Sequence, residues 1–186
     1  MGVTVVYETH TTTTDNERGI ATGWLPGALS EAGRREAQEL GERRRNDDIA
    51  AVFSSDLRRA VETAEIAFRE TKIPIHFDAR LRECNYGAMN GMAVAQFAGK
   101  RLGHIATPFP DGESYRGVVE RTRSFLSDIV RKYEDRRIVV IGHSANRWSL
   151  EHLVNGVAIE DLVDAPFNWQ PGWEYLLGVA RAKPVS

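Results

Sequence analysis

The chain has one cysteine, Cys84, in 186 residues. No internal disulfide can form, and one thiol cannot build a cysteine-based zinc site. A basic excess is missing too: 24 lysines and arginines stand against 26 aspartates and glutamates, a formal net charge of −2. Nothing in that balance recruits nucleic acid or a membrane surface. Apolar runs such as Val3-Thr4-Val5-Val6-Tyr7 are far shorter than the roughly 20 residues that span a bilayer. No basic segment followed by an apolar core opens the sequence, and Val6 stands where a myristoylation signal wants serine or threonine. A reducing cytoplasm is the expected compartment. There is no repeat at a solenoid period and no long glycine-, serine- or proline-rich tract, so one domain over residues 1–186 is expected. A chain of this length can bury a core without disulfide or metal staples.

What is present alternates between two periodicities. Val3 to Thr9 is β-branched and reads as a buried strand. After a polar loop, Ser30 is placed to cap a helix from about Glu31 to Arg45, whose thin apolar face is Ala32, Ala37 and Leu40. Ile49 to Phe53 is a second strand. Ser54-Ser55-Asp56 supplies a cap, and a helix follows to about Arg69 with Leu57, Ala60, Val61, Ala64 and Phe68 facing inward. Pro74 makes Ile73 to Phe77 an edge strand. Glu83 to Pro110 is irregular, with a short helix near Val94 to Arg101. A long helix is expected from Ser114 to Tyr133, a strand over Ile138 to Ile141, a helix from Asn146 to Val154, and a last strand from Glu174 to Val179. Strands alternating with helices predict an α/β fold, a three-layer α/β/α sandwich on a mostly parallel, mixed sheet.

In such sheets ligands gather beyond the carboxyl ends of the strands. Three chemistry-bearing segments end up there: His10 after the first strand, Ser54 to Arg59 after the second, and His143 after the Ile138 strand. Two imidazoles and a guanidinium, distant in sequence, can therefore meet in one pocket.

In order, the notable segments are Thr9-His10-Thr11-Thr12-Thr13, Ser55-Asp56-Leu57-Arg58-Arg59-Ala60 through Thr63-Ala64, Arg82-Glu83-Cys84-Asn85-Tyr86-Gly87, Asp111-Gly112-Glu113-Ser114, and Ile141-Gly142-His143-Ser144. Any one is weak. Five in this order and spacing resemble the histidine phosphatase superfamily, the phosphoglycerate mutase-like fold, from about Val3 to Gly156. The resemblance implies a phosphatase that hydrolyses a small phosphate monoester through a phosphohistidine, with no cofactor and no metal. His10 would be the nucleophile, Glu83 the general acid and then base, Arg59 the phosphate clamp, and His143 a donor to the same oxygens. Asn16, Thr22 and Gly23 match positions that contact phosphate or substrate. Asp56 and the helix start beside Arg59 would lend N–H groups to an anion.

The chain departs from the family pattern in its opening block. The family reads Arg-His-Gly-Glu-Thr there; this chain carries Thr9 in place of the arginine, Thr11 in place of the glycine and Thr12 in place of the glutamate. Glu8 occupies a strand position that is usually apolar. Arg147, four residues after His143, is a candidate partner for Glu8 and a substitute for the missing guanidinium; Arg18 is the second candidate. Two other functions stay open: a degenerate member that binds a phosphorylated ligand with little turnover, and a mutase-type phosphotransferase. The mutase branch carries a longer insertion with extra basic residues, where this chain offers Lys100, Arg101 and Arg116. Bland readings stand beside the catalytic ones. Arg80 and Arg82 can hold Glu83 in a surface ion pair, Cys84 can be a packing residue, and Asn16, Thr22 and Gly23 can shape a turn. Trp24, Phe97, Phe109 and Trp148 line a recognition wall or fill the core. Substrate identity and oligomeric state are not encoded legibly.

Overall fold

A computed structural model describes residues 2–178. In chain order its elements are β1 (Gly2–Thr9), α1 (Thr14–Glu17), β2 (Ile20–Ala21), α2 (Glu31–Arg44), β3 (Ile49–Ser54), α3 (Arg58–Phe68), β4 (Ile75–Phe77), β5 (Met92–Ala93), α4 (Val94–Phe97), α5 (Tyr115–Lys132), β6 (Arg137–Gly142), α6 (Ser144–Asn155), α7 (Ile159–Asp164) and β7 (Trp173–Gly178). The main sheet has the order β4-β3-β6-β1-β7. Only β7 runs antiparallel, pairing with β1; the other pairings are parallel. A separate ribbon joins β2 to β5.

Period-two alternation decides which residues meet which helices. From β1, Val3, Val5 and Tyr7 join Ile138 and Val140 of β6 in a core that α5 and α6 close with Phe125, Ile129 and Leu150. On the other face, Val6, Val139 and Ile141 pack against Leu40 of α2 and Ala60, Ala64 and Phe68 of α3. The central strand β6 is buried on both faces, as its unbroken Ile-Val-Val-Ile run requires. A third cluster, Cys84, Tyr86, Phe97, Phe109, Tyr115 and Trp148 among others, packs the irregular segment onto the starts of α5 and α6.

The expected elements stand with small shifts. Ser30 caps α2 by accepting from Gly33 N at 3.1 Å, Ser114 caps α5 through Gly117 N, and β4 lies at the sheet edge directly after Pro74. Val179, expected to end the last strand, lies outside the described residues. The buried face of α2 is Gly33, Ala37 and Leu40, not Ala32. Its first turn presses on the loop after β1: a Cβ on Gly33 would come 1.9 Å from the Thr12 carbonyl oxygen. On α3 the buried set includes Arg59 and Thr63, while Leu57 and Val61 are only half-buried. Asp56 caps nothing; Leu57 is the N-cap and its N–H is received by Ser55 Oγ at 3.2 Å. The ribbon, α1 and α7 had no periodic signal to announce them.

Candidate active site

β1, β3 and β6 end side by side, and the residues just past those ends converge. The imidazole centroids of His10 and His143 lie 5.0 Å apart. Arg59, in the first turn of α3, stands between them: Nε donates to His10 Nε2 at 3.3 Å and Nη2 faces His143 Nδ1 at 3.3 Å. Arg59 is 2% exposed, and its guanidinium is held by two carbonyls, Gly23 at 2.8 Å and Leu25 at 3.3 Å. The fork is thus fixed before any ligand arrives.

These contacts assign the protons. His10 Nδ1 lies 2.8 Å from the Thr11 carbonyl oxygen, which can only accept, so Nδ1 carries the hydrogen. Nε2 faces an arginine, which can only donate, and keeps its lone pair. In His143 the order is reversed. Nδ1 accepts from Arg59, so the neutral ring is protonated on Nε2. That nitrogen is buried and, among the described residues, has no hydrogen-bond partner. One ring presents a lone pair, and its neighbour presents a donor without an acceptor.

Burial, reinforced by Arg59, pushes the His10 imidazole from its ordinary 6.5 down to about 3. Burial, then Arg59, then His10 push His143 well down as well. Both rings are neutral near pH 7. Glu83 moves the other way: burial raises its carboxyl, and the opposing N–H of Cys84, Arg59 and the N–H of Ala145 do not cancel that rise. Its Oε1 accepts from Cys84 N at 2.8 Å and from Ala145 N at 3.3 Å. With Oε1 engaged by two donors, a proton on this carboxyl falls to Oε2. Burial lowers the Arg59 guanidinium, which remains a cation.

The surface ion pair suggested for Glu83 does not form. Arg80 bonds Asp78 and Asp128, and Arg82 bonds Asp56 at 2.6 Å while lying over the Trp24 ring. The Asp56 carboxylate is therefore the counter-ion of Arg82. Gly23 acts through its backbone: φ is +55°, and a Cβ there would fall 1.8 Å from Asn90 Oδ1. Thr22 turns its hydroxyl to Asp15. Asn16 lines the cleft, with its amide oxygen engaged by Thr13 N and Oγ1.

Arg147 is a correction. Glu8 and Tyr7 alternate on β1, so Glu8 faces α2 while Arg147 lies on the Tyr7 side, over the Trp173 ring at 5.2 Å and near Glu151 at 3.9 Å. The partner of Glu8 is Arg44, whose Nη2 and Nε donate to Oε1 at 2.7 and 3.1 Å. Arg147 is not among the residues lining the cleft beside His10, nor is Arg18, which is exposed. The arginine that does line it is Arg43, 3.7 Å from Glu8 Oε2.

Several positioning residues escaped the sequence reading. Arg121 donates to the carbonyls of Arg80 and Glu83 and pairs with Glu113. Trp24 Nε1 also donates to the Glu83 carbonyl, at 2.7 Å. Glu36 receives both Thr12 N and Thr12 Oγ1, and Thr63 Oγ1 receives Thr11 N. Tyr7 donates to the His143 carbonyl at 2.6 Å. A sequence signal existed only for Thr63, inside the second motif. Cys84 is a buried packing residue whose thiol is pushed up by burial. Phe97, Phe109 and Trp148 are core, so they form no recognition wall. Among the described residues no group of three His, Cys, Asp or Glu is arranged to hold a metal ion, and no helix is long and apolar enough to cross a membrane.

The family description of the histidine phosphatase superfamily (branch 1) matches residues 9–168. Phosphoglycerate mutase-like protein 4 of Arabidopsis thaliana is 34% identical over 151 residues, 75% of this chain and 65% of that protein. The 2,3-bisphosphoglycerate-dependent phosphoglycerate mutase of Staphylococcus aureus is 31% identical over 138 residues, 69% and 60% of the two chains. The chain thus spans less than two thirds of the length of these curated relatives. Among solved structures, Bacillus stearothermophilus YhfR superposes with a TM-score of 0.82 at 26% identity, covering 99% of this chain and 98% of that one. A mycobacterial glucosyl-3-phosphoglycerate phosphatase, in complex with VO3, gives 0.74 at 26% identity over 87% and 85%.

Proposed function

Because this chain belongs to the histidine phosphatase superfamily (branch 1), we propose that it hydrolyses small phosphate monoesters through a phosphohistidine on His10. The observation that carries this reading is the pair of tautomers: a lone pair on His10 Nε2 and an unpartnered N–H on His143 Nε2, with Arg59 reaching both rings. A neutral imidazole needs no base to activate it, and its depressed pKa keeps it neutral at any ordinary pH.

In the first step His10 Nε2, released from the Arg59 Nε–H it accepts in the free site, attacks phosphorus in line with the ester oxygen. The P–O bond breaks, and the leaving oxygen takes the proton that Glu83 carries on Oε2. Arg59 and the His143 N–H stabilise the charge spreading over the equatorial oxygens. In the second step the Glu83 carboxylate takes a proton from water, the oxygen of which attacks phosphorus. The N–P bond breaks and inorganic phosphate leaves. A carboxyl raised by burial suits a group that must be an acid in one step and a base in the next. The likeness in fold to a phosphatase, over 87% of this chain and 85% of that one, supports hydrolysis over phosphoryl transfer between two positions of one substrate.

The test is turnover of a chromogenic aryl phosphate with and without a chelator. Activity that survives chelation and disappears in His10→Ala, together with an acid-labile, base-stable phosphoryl label on the wild-type chain, is the expected result. Binding of phosphate esters without release of phosphate would replace this reading with a binding module.

A further inference from the structure

The cleft next to His10 is much larger than a phosphoryl group. Its volume is about 530 Å³, within the roughly 300–1,000 Å³ of sites that enclose whole small molecules. Its walls differ. One is the segment between α7 and β7, which brings Phe167 and Trp169 to the rim; these are 36% and 60% exposed. The other is the outer face of α2, with Glu36, Glu39 and Arg43.

The aromatic segment is anchored. Gly172 has φ +83°, and a Cβ on it would come 2.2 Å from Arg44 Nη2, so the segment lies directly on the Glu8–Arg44 pair. Phe167 also contacts the Trp173 ring at 6.0 Å between centroids. Two large aromatic side chains therefore stand at the rim of a cleft that His10 also lines, where a planar group would cover them. The charges point the same way. Glu8 is balanced by Arg44 behind it, which among the described lining residues leaves Glu36 and Glu39 against the single cation Arg43. A carboxylate or second phosphate on the substrate would meet a net negative wall.

Resting on the phosphatase reading of His10, we propose that this cleft is the subsite for the far end of the leaving group, whose ester oxygen lies toward Glu83, and that it takes an uncharged alcohol carrying a planar ring against Phe167 and Trp169. The substrate class is then the phosphate monoester of a neutral, ring-bearing alcohol, distinct from the acidic glycerate phosphates implied by the names of the mutase relatives.

Affinity in the His10→Ala protein tests the subsite without turnover. Calorimetry with 1-naphthyl phosphate, glycerol 2-phosphate and 3-phosphoglycerate is expected to rank them in that order, the first about tenfold tighter than the second, as one aromatic stack commonly supplies. Adding Trp169→Ala is expected to erase that preference and Trp169→Phe to restore most of it. Glu39→Lys is expected to improve 3-phosphoglycerate relative to the other two. Equal affinities, or a naphthyl preference that survives loss of both Trp169 and Phe167, overturn the subsite. Wild-type turnover of all three esters with equal kcat/KM also overturns it while leaving the phosphatase reading standing. Trp169-dependent binding with no wild-type turnover supports the subsite and removes the phosphatase reading instead.

Discussion

Glu8 and Glu83 lie in two regions where a carboxyl is buried, at 1% and 8% exposure. Burial raises the pKa of both. Their surroundings differ in kind. Glu8, near the end of β1, faces α2 and meets two guanidiniums, one of them in a bidentate contact through Arg44 Nε and Nη2. Among the described residues Glu83 meets no side-chain cation directly; its Oε1 takes two backbone N–H groups, and Arg59 and Arg121 act on it through space. A paired carboxylate is a structural tie. A carboxyl held by one oxygen only, with the other free to carry a proton, can do proton chemistry. The same residue type, equally hidden, is thus assigned to two tasks by what surrounds it.

The largest expected break in this comparison is Glu83→Gln. The amide oxygen can still receive Cys84 N and Ala145 N, so the fold should tolerate the change, but no proton can be delivered. We expect kcat on alkyl phosphates to fall about 10²–10⁴-fold, with a smaller loss on 4-nitrophenyl phosphate, whose leaving group needs little protonation. Leaving-group dependence measured in both proteins checks this. The pH profile sharpens it. Glu83 must be protonated in the first step, so activity should be present below its raised pKa and be lost as pH rises through it; that limb should vanish in Glu83→Gln. No acid limb from His10 should appear until about pH 3.

Arg44→Ala should do the reverse, costing stability and not proton chemistry. It leaves Glu8 buried with Arg43 alone at 3.7 Å. The loss should be about 3 kcal/mol, a fall in Tm of roughly 6–12 °C for a chain of this size, while the high-pH limb of activity keeps its position. The linkage signs follow. Glu8 has a folded pKa raised above 4.5, so its contribution to stability is present at low pH and lost as pH rises through the raised value. His10 is opposite: with a folded pKa of about 3 against 6.5, the unfolded chain binds more protons between them, and stability rises with pH across that window. Thermal unfolding of wild type and Glu8→Gln from pH 4 to 8 separates the two.

Gly23→Ala comes next in size. The added methyl would meet Asn90 Oδ1 and Tyr86 at a positive φ, and the carbonyl that holds Arg59 would move. We expect a loss of about tenfold in kcat/KM, the cost of a slightly misplaced clamp, and of about 1–2 kcal/mol in stability.

Much of this was legible because two signals agree. Apolar runs with strand periodicity located β1, β3 and β6, and polar residues at their carboxyl ends located His10, Arg59 and His143. What stayed hidden depends on contacts between segments without a period. Arg43 and Arg44 read as solvated charge in the last turn of a helix; only the packing of α2 on β1 shows that Arg44 neutralises Glu8. Phe167 and Trp169 lie in an irregular segment, so their place beside His10 had no sequence signal. The aromatic residues that did look available, Phe97, Phe109 and Trp148, lie at helical and turn positions that fold inward as a third core.

Arg147 closes the comparison with the smallest effect. It sits on the opposite sheet face from Glu8, its guanidinium over Trp173 and near Glu151, and 22% of its side chain is exposed. An ion pair of that kind contributes roughly 0–1 kcal/mol, and a cation over an indole adds a similar amount. Its Nε is buried without a partner among the described residues, which subtracts from both. Arg147→Met keeps the length of the chain over Trp173 and removes that unpaired donor. Its unfolding free energy should therefore stay within about 1 kcal/mol of wild type, and inorganic phosphate should inhibit it with the same constant as the parent. A large rise in that inhibition constant would bring Arg147 to the anion and redraw the cation set around His10.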